Sequence, residues 1–233
     1  METAAQPPHV GHRRRLRERF AEGGLDGFHD YEVLELLLTF ALPRKDVKQA
    51  AKDLDERFKG LAGALDAEPA ELEKIEGLGP QAALFFPLLR AAMGRYFLRE
   101  AALSDVIASP EAVVRYCRAE LEGEKNEIFM VLHLSTKNRI LSVDRLAEGS
   151  LDRAAVYPRR VIEAAFKANA AALILVHNHP SGDPAPSPED RQLTREISAA
   201  AKPLGLKVHD HLVIGRARHF SFRANGWMEA EER

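Results

Sequence analysis

One cysteine, Cys117, is all the chain carries, so no internal disulfide can brace it, and a reducing cytoplasm is the expected compartment. Long apolar runs are missing too. Nothing approaches the ~20 residues that a membrane-spanning helix needs, so no membrane partner is expected. The opening METAAQPPHVGHRRR lacks the apolar stretch of a secretory signal, and none is expected. Neither sign of charge is in excess. Up to residue 104 there are 15 basic against 17 acidic residues, and beyond it 18 against 18. This balance counts against strong, charge-driven nucleic-acid binding, whose affinity comes largely from neutralising phosphates. The basic run RRRLRER (13–19) is expected to solvate one face of a helix. Repeats and low-complexity tracts are also lacking.

What is present is the composition of an ordinary globular protein, 45% hydrophobic and 29% charged over 233 residues, long enough for two modest domains. Up to about Glu100, stretches such as DYEVLELLLTF, DVKQAAKDLDERF and QAALFFPLLRAAMGRYFL place apolar residues three and four apart. Breaks at Gly23-Gly24, Pro43, Gly60, Pro69 and Gly77 to Pro80 predict a bundle of about five short helices over 1–104. SDVIASPEA (104–112) reads as the linker. From 105 to 233 the pattern changes to strands (EIFMVLHLS, RILSVDRLAEG, AALILVHN, LKVHDHLVIG, HFSFRANGW) interleaved with helices (PRRVIEAAFKANA, SPEDRQLTREISAAAKPLG), which predicts an α/β sandwich. Trp227, Phe220 and Phe222 are expected to close its core, with Cys117 a buried small hydrophobe.

The stretch that carries chemistry is HNHPSGDPAPSPED, His177 to Asp190, directly after the wholly apolar AALILV. Such a run suits a central strand covered on both faces. Side chains alternate along a strand, so His177 and His179 point the same way, roughly 6 to 7 Å apart along the backbone, and both imidazoles can reach one ion. Asp183 and Asp190 are the candidate third ligands. Asp183 sits in a turn where Asp is common for local reasons, and Asp190 follows Ser187-Pro188-Glu189 in what reads as a capped helix start. Spacing does not choose between them. Two imidazoles and a carboxylate would leave a position for water on zinc, as catalytic sites do, although ligand type also admits manganese or iron.

His177-x-His179, ten residues and Asp190, with Ser187 three before that Asp, resembles the metal motif of the JAMM (MPN-plus) metalloprotease superfamily. VYPRRVIEAAFKANAAALILVHNHPSGDPAPS, followed by DHLVIG and FSFRANGW, resembles the bacterial RadC family over 105–228. GHRRRLRERFAEGG and IEGLGP resemble that family's N-terminal region. The resemblance implies a JAMM/MPN-like α/β/α domain, a sandwich of the cytidine-deaminase-like kind, behind a helical bundle. It implies Zn2+ held by His177, His179 and Asp190, with Ser187 stabilising an oxyanion and Glu127 as proton carrier. Glu122 and Glu124 lie close by, but only Glu127 abuts a strand, where side-chain position is fixed. The implied activity is amide or isopeptide hydrolysis of a protein or peptide substrate. The family's name also implies an association with DNA repair.

Three further signals are weighed. His209-Asp210-His211 would put two histidines on one strand face, as a second metal site or as support behind the first. The letters HNH do not make an HNH nuclease, and His-x-His-x-Asp-His fails because Ser181 and Gly182 stand at the required positions. Leu72-x-x-Ile75-x-Gly77-Leu78-Gly79-Pro80 resembles the hairpin of helix-hairpin-helix motifs, whose amides approach a phosphate; Gln81 replaces the usual basic residue and Phe85-Phe86-Pro87 follows. Weak, non-specific DNA contact is the most this predicts.

Overall fold

The computed structural model describes residues 11–148 and 156–228. The absence of a signal stretch therefore concerns residues that lie largely outside the described ones. The chain forms two compact units that divide between Ala92 and Met93. That division falls upstream of Ser104, inside a long helix.

The first unit contains α1 (His12–Gly23), α2 (Asp30–Ala41), α3 (Lys48–Phe58), α4 (Leu61–Asp66), α5 (Pro69–Leu72) and the first part of α6 (Pro80–Leu103). Turn chemistry sets the breaks: α1 ends at Gly24 (φ 65°) and Gly60 (φ 108°) separates α3 from α4, backbone conformations that cost glycine little. Leu34, Leu38, Leu54, Leu72, Ile75, Leu78 and Phe86 form the core. The basic run lies on the exposed side of α1 as expected, with only Leu16 buried, and two of its arginines also tie α1 down: Arg17 donates to the Thr39 carbonyl (3.2 Å), and Arg19 pairs with Glu32 (2.8 Å) while lying over Phe28. As the spacing of QAALFFPLLRAAMGRYFL predicts, α6 continues through Pro87.

The second unit adds α7 (Pro110–Leu121), β1 (Ile128–Leu134), β2 (Ile140–Glu148), α8 (Pro158–Lys167), β3 (Ala172–Asn178), α9 (Pro188–Ala201), β4 (Lys207–Ile214) and β5 (His219–Ser221). The sheet order is β2-β1-β3-β4-β5, parallel only between β3 and β4. Every residue of β1 and of β3 is buried, as expected of central strands covered on both faces. Alternation sorts them into two layers. Met130, Leu132, Ile174, Val176 and Leu212 meet Val113 and Cys117 of α7, whereas Phe129, Val131, Leu173 and Leu175 meet Val161 and Ala165 of α8 and Ile197 of α9. The result is the expected α/β/α arrangement with a five-stranded mixed sheet. The segment 104–112 is more than a linker, since Val106 is buried in the first of these cores. Cys117 is fully buried, and burial pushes its thiol pKa up. HFSFRANGW is a strand only over its first residues, and Trp227 remains 38% exposed beneath Arg191, so of the three aromatics Phe222 is the one sealed in the core.

Candidate metal centre

Three chain segments converge where β3 ends. In the antiparallel pairing of β1 with β3, Phe129 lies opposite His177, which sets Glu127, just before β1, beside the end of β3. After β3 the chain turns back against β4: the His179 amide donates to the Ile214 carbonyl (2.9 Å) and the Arg216 amide to Gly182 (2.9 Å). Gly182 has φ 86°, and a side chain at Gly215 would meet the Gly182 carbonyl oxygen at 2.5 Å, so both positions need glycine. The turn delivers the chain to α9, whose N-terminus reaches back to the histidines.

That helix start is a reciprocal cap. Ser187 Oγ accepts from the Asp190 amide (3.1 Å), and Asp190 Oδ2 accepts from both the Ser187 amide and its hydroxyl (2.7 Å each). With Pro188 at the first helical position, this fixes the Asp190 carboxylate. Its other oxygen, Oδ1, is buried with no hydrogen-bond partner. Stranding a carboxylate oxygen in this way is costly unless something positive meets it.

What faces Oδ1 is a set of lone pairs. His177 Nε2 is 3.2 Å away, His179 Nε2 is 3.5 Å from Oδ2, and the two ring nitrogens are 3.0 Å apart. His179 donates its Nδ1 proton to the Asp183 carbonyl (2.8 Å), which can only accept, so neutral His179 presents Nε2 as a lone pair. His177 turns Nδ1 to the buried His211 Nε2 (2.8 Å) and its own Nε2 to the cluster. Glu127, its side chain 18% exposed, holds Oε1 4.0 Å from His177 Nε2. One donor atom from each of Glu127, His177, His179 and Asp190 lies within 4.8 Å of the others, the one such group among the described residues. Three convergent donors of the His, His, carboxylate type could hold a metal ion, which would meet the orphaned oxygen.

A proton and a metal ion compete for the same lone pairs. Burial alone would raise the Asp190 pKa, but the facing imidazoles of His177 and His179, when they carry a proton toward it, and the Ser187 hydroxyl reverse this and hold it well below the usual carboxylate range. The Asp190 carboxylate raises the His179 pKa against the opposing effect of burial.

The RadC-like JAB domain family matches residues 107–227. The chain belongs to the RadC family. A UPF0758 protein of Rhodobacter capsulatus is 44% identical over 91% of this chain and 99% of its own length. Another, from Ruegeria pomeroyi, is 41% identical over 93% of this chain and 97% of its own.

Within this RadC-family unit the other sequence candidates fall away from the cluster. The Asp183 carboxylate accepts from the Ala185 amide (3.2 Å), and the residue serves the site through its backbone carbonyl instead. Glu122 is tied to Arg118 and to the Ala217 amide (2.7 Å each), which keep its carboxyl low despite burial, and Glu124 lies 3.8 Å from Arg145. His209 and His211 do not share a face. Val208 pairs with Leu173 but Asp210 with Ile174, so a bulge at His209 breaks the alternation; His209 meets Asn138 (3.1 Å) while His211 stands behind His177. In the first unit the hairpin is present, with Gly77 at φ 88°, but Ile75 and Leu78 are core residues and its one cation, Lys74, pairs with Glu71.

Two residues that the sequence did not single out complete the site. Asn178, between the histidines, points to the opposite side of β3 and clamps the backbone on either side of Glu127: its Oδ1 accepts from the Ile128 amide (2.8 Å) and its Nδ2 donates to the Asn126 carbonyl (3.1 Å). Thr194, one turn beyond Asp190 on α9, touches His211 (2.6 Å). The letter N between two histidines was the available signal for the first; for Thr194 there was only its spacing of four from Asp190.

Proposed function

We propose that the second unit is a zinc-dependent hydrolase of the JAMM metalloprotease type, acting on an amide or isopeptide bond of a protein or peptide. The observation that carries this reading is the buried, partnerless Oδ1 of Asp190 beside His177 Nε2 (3.2 Å), which itself has the Glu127 carboxylate 4.0 Å away, with His179 in the same cluster. His177, His179 and Asp190 would hold the ion. Zinc bound there supplies Lewis acidity, lowering the pKa of water toward ~7 and polarising a carbonyl. Glu127, held at the strand edge by Asn178, takes the water proton and passes it to the leaving nitrogen, a transfer worth roughly 10²- to 10⁴-fold in rate. Ser187 caps α9 with its hydroxyl directed at Asp190 Oδ2; turned toward substrate, the same hydroxyl donates to the developing oxyanion.

Purified protein and its Glu127→Gln variant, both zinc-loaded, are offered peptide and isopeptide substrates and, separately, single- and double-stranded DNA. Turnover of an amide substrate that E127Q loses, at equal zinc content, is the expected result. Glu127-dependent DNA cleavage without amide turnover would replace this reading with a nucleic-acid one. The hairpin favours the first outcome, because Glu73 and Glu76 are exposed beside the paired Lys74 and would repel phosphate.

A further inference from the structure

We propose that His211 and Thr194 form a proton-ordered relay that locks His177 with its proton on Nδ1, and that this lock sets how tightly the centre retains its ion. The inference rests on the metal reading above and assigns the strength of that site to two residues outside it.

The order of protons follows from one end of the chain of contacts. The Thr194 hydroxyl donates to the Asp190 backbone carbonyl at 2.6 Å, and a carbonyl can only accept. That spends the hydroxyl's single proton. Toward His211 Nδ1, 2.6 Å away, the Thr194 oxygen can therefore only accept, so His211 carries its proton on Nδ1. His211 is fully buried between the rings of Phe129 (5.8 Å) and Phe222 (4.8 Å), and both its nitrogens meet uncharged groups, so it is held neutral with a single proton. Its Nε2 is then a lone pair and must accept from His177 Nδ1 at 2.8 Å. Nothing is left on His177 Nε2 but a lone pair, aimed at the cluster.

The relay closes on itself. It begins at the carbonyl of Asp190 and returns, through His177 Nε2, to within 3.2 Å of the carboxylate of the same residue. Its members Asp190, Thr194, His211 and His177 are all buried, so water cannot substitute for a missing link. If His211 carried its proton on Nε2, it would donate to His177 Nδ1, move the His177 proton to Nε2 and cancel a ligand. A contact that orients a ligating imidazole in this way is worth about 10- to 100-fold in metal affinity.

The test uses the full chain. Zinc affinity is measured by competition with a chromophoric chelator for wild type, Thr194→Val, Thr194→Ser and His211→Phe, with metal-free melting curves recorded for each. Imidazole ¹H–¹⁵N spectra of the metal-free wild type report which nitrogen of His177 and His211 is protonated. Expected are Nδ1 protons on both rings, a 10- to 100-fold loss of affinity in T194V and H211F, and recovery to within about threefold in T194S. A proton on His211 Nε2, or wild-type affinity in a folded T194V, overturns the relay while leaving the metal reading intact. A wild-type chain that takes up no zinc overturns both.

Discussion

Replacing Asn178 by alanine separates the support of Glu127 from the metal ligands themselves. The change removes an acceptor 2.8 Å from the Ile128 amide and a donor 3.1 Å from the Asn126 carbonyl. Two intramolecular hydrogen bonds contribute about 1 kcal/mol each, and leaving the buried Ile128 N–H without a partner raises the total to about 2–4 kcal/mol. Urea unfolding of metal-free protein should show that loss. Hydrogen exchange should show it locally, as faster exchange of the Ile128 amide than of amides in the middle of β1. Zinc content should be unchanged, because His177, His179 and Asp190 hold their own contacts, while amide turnover falls with Glu127 released. A stability loss below about 0.5 kcal/mol, with the Ile128 amide still protected, would refute the assignment of Asn178 as the clamp.

Gly215→Ala should weaken zinc retention without touching a ligand. Its methyl would stand 2.5 Å from the Gly182 carbonyl oxygen, so the turn carrying His179 has to move; unchanged retention with an unchanged melting temperature would count against that packing. A pH effect is expected from His133, buried in β1 with Asp144 Oδ2 at 3.0 Å; burial lowers its pKa more than the carboxylate raises it. The unfolded chain binds this proton first, so the contribution is complete above the ordinary histidine value near 6.5 and is lost as pH falls below it. Urea midpoints between pH 7.5 and 5.5 should therefore fall more steeply for wild type than for His133→Gln, and parallel slopes would contradict the argument.

Much of this was legible because it is periodic. AALILV announced a strand covered on both faces, and the one-residue gap between His177 and His179 announced a shared direction. Ser187-Pro188 announced the helix start that brings Asp190 back. What could not be read depends on register between distant segments. Nothing local joins Asn178 to Asn126 and Ile128, or His177 to His211; the strand pairing does. Alternation misled at His209 because a bulge is a tertiary event with no sequence mark there.

The pairing of Phe129 opposite His177 makes the sheet itself a measuring device. Glu127 keeps its distance from the two imidazoles by counting residues along neighbouring strands. A single residue inserted or deleted between Ile128 and Leu134 would turn β1 over, presenting the wrong face to each core and carrying the carboxylate out of reach. Residues 122–125 lie outside that strand pairing, so a change of length there would leave β1 the right way up.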